Sequence, residues 1–171
     1  MPADITADTT TATGADTTTA TGAEIEAEIT IDAPLAAVWR CLKSDIGQWW
    51  DHTFSDAPYA VVLEPTIGGR FYEQFDEAGA GALYATITYV KPPEMLRMSG
   101  PMGMPGARQY VKTYRLEALG ESTRVRTTAS VLGVLGEEML TAYRAGGESL
   151  LRSLRGHAEA HARQMAGNIK A

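Results

Sequence analysis

The chain is poor in cysteine, histidine and positive charge, and each shortage removes a class of function. Its single cysteine, Cys41, has no internal disulfide partner, so nothing points to an oxidising compartment. Val38, Trp39 and Leu42 surround it, which suits a small buried apolar side chain better than a nucleophile. Basic side chains number 15 against 21 acidic ones, for a net charge of −6. A nucleic-acid partner needs a basic face to meet phosphates, and none is expected here. No apolar run approaches the ~18 residues of a membrane-spanning helix. No Lys or Arg precedes Arg40, and the N-terminus carries no apolar core. It therefore reads as neither a secretory signal nor a transit peptide, and cytoplasm is the default expectation. A GxSxG elbow, a phosphate-binding Walker loop and a dinucleotide fingerprint are all missing, so no cofactor is expected.

What is present describes one domain. The chain has 171 residues and is 44% apolar, enough for a proper core. Residues 7–14 and 15–22 both read ADTTTATG. This tandem octad has no large apolar side chain to bury and cannot offset its own ordering entropy. Residues 1–23 are read as a disordered, weakly acidic tail; the alternative is a phosphorylated or partner-binding arm. The domain proper is expected over 24–165, with 166–171 as a short C-terminal tail.

Glu24–Ile31 alternates, with Ile25, Ala27, Ile29 and Ile31 on one face and Glu24, Glu26, Glu28 and Thr30 on the other. That pattern is a half-buried strand. Pro34 is expected at the first position of a helix whose buried stripe is Leu35, Val38, Trp39 and Leu42. Ser44-Asp45 is placed to cap a second short helix running to Trp49-Trp50. Turn signals then separate six strands: Ala60–Leu63, Arg70–Phe75, Ala82–Val90, Met95–Ser99, Arg108–Glu117 and Ser122–Val131. The chain closes with Glu137–Met165. At 100° per residue, Leu140, Tyr143, Gly147, Leu150, Leu151, Leu154, Ala158, His161 and Met165 share an arc of about 100°. Arg144, Glu148, Arg152, Arg155, Glu159 and Arg163 fill the other side, and the arginines are read as a solvated face. Strands in series without intervening helices imply an antiparallel sheet. The expected fold class is α+β, a curved antiparallel sheet wrapped around a long C-terminal helix.

Several short motifs carry a resemblance. They are Ile31-Asp32-Ala33-Pro34 with Val38-Trp39, then Trp49-Trp50, then Glu64-Pro65-Thr66-Ile67-Gly68-Gly69-Arg70-Phe71. Tyr89-Val90-Lys91-Pro92-Pro93-Glu94-Met95-Leu96 and the helix series Tyr143, Gly147, Leu150, Leu151 and Leu154 complete the set. Over about Glu24–His161 the chain resembles the START/polyketide-cyclase superfamily (SRPBCC, or helix-grip), closest to the branch related to the activator of the heat-shock-protein ATPase. Many members carry Trp after the helix glycine, where Glu148 stands here, and the Gly100–Met104 loop is a Met-rich version of a variable one. The resemblance implies a deep cavity between sheet and last helix that holds lipids, polyketides, hormones or other apolar molecules. Some members are cyclases or aromatases, and some only bind.

The expected walls of such a cavity are Trp49, Trp50, Phe54, Tyr59, Phe71, Phe75, Ile87, Tyr89, Met98, Met102, Met104, Tyr114, Tyr143 and Gly147. Aromatics and Met with a few phenol hydroxyls suit a flat, mostly apolar ligand. Gly146-Gly147 in mid-helix costs roughly 1 kcal/mol per glycine relative to Ala, a cost usually tolerated for close approach of backbone to something. Two residues are catalytic candidates. Glu73 shares a strand face with Phe71 and Phe75; if that face is inward, desolvation should raise its pKa and fit it as an acid or ligand anchor. His52, beside Trp49-Trp50 and Asp51, could act as a general base at a pocket mouth. His157 and His161 share a helix face, but Glu159 is off the zinc-protease spacing and no metal is expected. The leading reading is a protein that binds a small apolar or aromatic molecule. The alternatives are a cyclase- or aromatase-type enzyme, with Glu73, His52, Tyr89 or Tyr114 to test, and a co-chaperone-like activator. The activators usually carry a further domain, whereas a Thr-rich tail precedes the fold here.

Overall fold

A computed structural model describes residues 21–103 and 106–168. Most of the tandem octad, Met104 and residues 169–171 lie outside them. The elements run β1 (Thr21–Ile31), α1 (Leu35–Ser44), α2 (Ile46–Trp49), β2 (Ala60–Leu63), β3 (Arg70–Gln74), β4 (Gly81–Lys91), β5 (Met95–Gly100), β6 (Gln109–Leu119), β7 (Ser122–Gly133) and α3 (Glu137–Asn168). The seven strands form one antiparallel sheet in the order β1-β7-β6-β5-β4-β3-β2. The expected helix-grip architecture is therefore the observed one.

The differences are local. β1 begins three residues before the alternation at Glu24, because β7 runs on to Gly133 and offers a paired backbone back to Thr21. Pro34 stands just outside α1 with extended backbone, at φ −61° and ψ 147°. Asp45 precedes α2 without capping it through its side chain; the carboxylate turns instead to His157 Nε2 on α3, 3.3 Å away. α3 continues past Met165 to Asn168.

Two irregularities bend β4. Phe71 pairs with Ala85 but Tyr72 with Leu83, so Tyr84 is an extra residue. Ile87 pairs with Met98 but Tyr89 with Arg97, so Thr88 is another. Each bulge reverses which face the following side chain takes. α3 lies across β1 and against α1 and α2, burying Leu150, Leu151, Leu154 and Ala158. Arg144, Arg152 and Arg155 are exposed on its other side.

The core comes in two parts. The larger joins α1, α2 and the middle of α3 to the inner face of the sheet, through residues such as Val38, Trp49, Phe71, Ile87, Leu96, Val125 and Leu154. The smaller holds Ile25, Tyr110, Ala129 and Val131, with Leu140 and Tyr143 of α3 packed against it. The helix thus meets the sheet at two places, with an interval between them.

Candidate functional site

A cavity of about 300 Å3 occupies that interval. β6 supplies one wall. Strand alternation turns Tyr110, Lys112 and Tyr114 to the same inner face, and all three are buried. α3 supplies the opposite wall with Ala142, Tyr143, Gly146, Gly147 and Leu150. Trp50, His52 and Met102 complete the lining.

The two helix glycines set the width. A Cβ on Gly146 would stand 3.0 Å from His52 Nε2, and one on Gly147 would stand 3.9 Å from Lys112 Nζ. Larger side chains at either position would project into the space. Trp50 is fixed by an Nε1 hydrogen bond to the His52 carbonyl (3.0 Å) and by edge-on contact with Phe71 at 4.7 Å. Met102 takes a positive φ of 48° and donates its N–H to the Tyr84 carbonyl at 2.8 Å.

Lys112 is the unusual member of the wall. It is only 5% exposed. Its cross-strand neighbours are Met98 and Ala129, both buried and apolar. The Tyr114 ring lies 5.5 Å from Nζ. Burial draws its pKa down from 10.5 to about 8. Burial also pushes Tyr110 up to about 12 and raises Tyr114 and Tyr143, so the phenols stay protonated donors.

His52 lines the mouth and is half exposed. Its Nδ1 is 2.5 Å from Asp51 Oδ1, and Asp51 Oδ2 accepts a hydrogen bond from Ser153 Oγ of α3 at 3.2 Å. The helix thereby positions the acid that positions the histidine.

Of the residues expected on the walls, Trp50, Met102, Tyr114, Tyr143 and Gly147 stand there. Trp49, Phe71, Ile87 and Met98 are buried in the larger core cluster instead. Trp49 Nε1 donates to the Cys41 carbonyl at 3.0 Å, which turns it away from the cavity. Phe54, Tyr59, Phe75 and Tyr89 are exposed. The Thr88 bulge accounts for Tyr89, which ends under the Arg97 guanidinium at 5.4 Å. Phe75 lies just past the end of β3. Phe54 stacks on Tyr84 at 5.6 Å from the loop before β2.

Glu73 points inward, as its strand face implies, but it is not on the cavity wall. Its carboxylate accepts hydrogen bonds from the backbone N–H groups of Phe54 (2.7 Å) and Ser55 (2.8 Å) and from the Tyr84 hydroxyl. It clamps the loop that follows His52. A fully buried acid with three donors on it ties the 53–55 loop to β3.

One further cluster has metal-ligand chemistry. Cys41, Asp45 and His157 bring donor atoms within 4.8 Å of one another. The Cys41 thiol is held up at about 11 by burial and by the Asp45 carboxylate, so it is protonated as it stands. His161 turns elsewhere, with Nε2 2.9 Å from Arg40 Nη1. The two histidines therefore serve different partners and do not act as a pair.

A profile of the family described as polyketide cyclase / dehydrase and lipid transport matches residues 22–159, which span the whole sheet and most of α3. The chain belongs to this family. No curated protein matches it. Among solved structures, an uncharacterized protein from Rhizobium leguminosarum is similar with a TM-score of 0.66 at 23% identity, covering 82% of this chain and 97% of that one. The Mll3558 protein from Rhizobium loti has a TM-score of 0.63 at 17% identity, covering 81% and 99%. Ara h 8.0201 has a TM-score of 0.63 at 12% identity, covering 82% and 99%. Identities this low carry the fold only.

Within this polyketide cyclase-type domain, Tyr110 and Lys112 are wall residues absent from the expected set. The signal lies in the alternation of β6, where Tyr110, Lys112, Tyr114 and Leu116 are two apart. A lysine reads as solvent-facing by composition, so only the burial of β6, paired on both sides by β7 and β5, brings it into view. Among the described residues, no helix is long and apolar enough to cross a membrane.

Proposed function

We propose that this domain binds a small, flat, mostly apolar molecule between the sheet and α3. One observation carries the reading: between the main core and its satellite lies a space of about 300 Å3 whose walls are mainly aromatic, aliphatic, Met and glycine, with Lys112 and His52 as the charged or titratable exceptions besides the tyrosines. That volume is at the small end of the ~300–1,000 Å3 range of ligand pockets, so it suits a one- or two-ring molecule rather than a long lipid. Family membership agrees with a ligand-holding domain. Native mass spectrometry of protein purified from its own host should find a retained small molecule. An apolar fluorescent dye should bind one to one, be displaced by that molecule, and raise the melting temperature. Protein that carries nothing, takes up no dye and melts unchanged would sink the reading.

A second reading, catalysis in the same cavity, is favoured by the Asp51–His52 pair at its mouth, 2.5 Å apart and tied to α3 through Ser153. That arrangement orients an imidazole as a general base would require. If it operates, His52→Asn abolishes turnover of the retained molecule while leaving its affinity within a few-fold. Equal turnover in both chains would remove it.

A further inference from the structure

We propose that the ligand is an apolar molecule bearing one carboxylate, and that the Lys112 ammonium holds this group inside the cavity. The inference rests on the cavity reading above and adds the chemical class of the ligand.

Lys112 is at the middle of β6, buried, with no hydrogen-bond or ion-pair partner among the described residues. The titratable groups that face it are Tyr110 and Tyr114 on its own strand, Tyr143 on α3 and His52 at the mouth. None is a carboxylate. The acids nearest the site are engaged elsewhere: Asp51 with His52 and Ser153, and Glu73 with Phe54, Ser55 and Tyr84. An ammonium left alone in an apolar site is costly, and a methionine would fill the same volume without that cost. Burial lowers its pKa to about 8, yet the charged form still predominates at pH 7. The cavity therefore holds a positive charge with no counter-ion of its own.

The anion that fits carries a single charge. Among the described residues, no arginine and no second lysine lines the cavity. A phosphate would bring close to two charges, and a single ammonium offsets only one of them in an otherwise apolar site. The N-terminal turn of α3 carries Glu137 and Glu138, which repel anions. A carboxylate has two oxygens: one meets the ammonium, and the other has phenol donors available. The hydroxyls of Tyr110, Tyr114 and Tyr143 have no hydrogen-bond partner among the described residues. Glycine at position 147 leaves open the space in front of Nζ.

The test compares three probes of one shape on the full chain at pH 7 by calorimetry: 2-naphthoate, its methyl ester and 2-naphthalenemethanol. The wild-type chain should prefer the carboxylate over both neutral probes by at least about tenfold, as expected of a charge-assisted contact. Lys112→Met should lose that preference and bind the ester at least as well as wild type does. Lys112→Gln serves as a second variant should the first fail to fold. Binding of all three probes with equal affinity by the wild-type chain, or a preference that survives both substitutions, overturns the assignment and leaves the cavity reading standing. Failure of all three to bind overturns both.

Discussion

Among the described residues, one acid and one base are buried, under opposite conditions. Glu73 has three donors on its carboxylate; Lys112 has no acceptor on its ammonium among the described residues. The consequences for stability follow. The folded state binds the Lys112 proton less tightly than the unfolded chain does, so this residue destabilises the fold in full below pH 8. The penalty fades as pH rises from about 8 to 10.5. A fall of that size is on the order of 3 kcal/mol. Lys112→Met should therefore melt several degrees above wild type at pH 7, and the gap should shrink toward pH 10.5. Melting curves across that range check this, and a gap independent of pH would refute it. Glu73→Gln turns an amide N–H2 toward backbone N–H donors. It should cost about 2 kcal/mol in urea denaturation, read from the midpoint and slope of the unfolding curve. Lys112 shares the strand face of Tyr114, but a lysine in an alternating strand reads as solvent-facing, so its burial was not legible in the sequence. Nor was its isolation, because whether a charge finds a partner depends on residues far away in the chain.

At the scale of elements, α3 does two jobs with one face. Leu150, Leu151 and Leu154 seal the larger core, while Tyr143, Gly146 and Gly147, one to two turns earlier, leave space. Helical periodicity shows the stripe and the glycines interrupt it, so this division was legible in the sequence. Gly147→Leu should fill the space before Lys112 and lower dye affinity by at least tenfold. Gly147→Ala, whose Cβ meets Nζ at an ordinary 3.9 Å, should retain binding and gain up to about 1 kcal/mol of helix stability. Dye titration with parallel melts separates the two outcomes; equal binding by all three chains would move the site elsewhere. β4 was less readable. Its bulges at Tyr84 and Thr88 put Tyr84 inside and Tyr89 outside, and nothing in a period-two pattern announces an inserted residue.

For the whole molecule, stability depends on the helix staying docked across a sheet that it only partly covers. Leu154, fully buried where α3 crosses the sheet, is the residue to test. Leu154→Ala should cost about 2–5 kcal/mol, seen as a lower urea midpoint with an unchanged slope. A loss well below 1 kcal/mol would mean that α3 contributes little to the fold. The sequence by itself determined the element order, the antiparallel sheet and the amphipathic closing helix. These follow from periodicities of two and 3.6 residues, which are properties of neighbours along the chain. The tertiary structure alone decided which aromatics reach the cavity and which fill the core beside it. It decided too that Glu73 closes a loop while Lys112 is left without a counter-ion. Those outcomes depend on strand register, on two inserted residues in β4 and on the height of α3 above the sheet, distances that only the packed molecule sets.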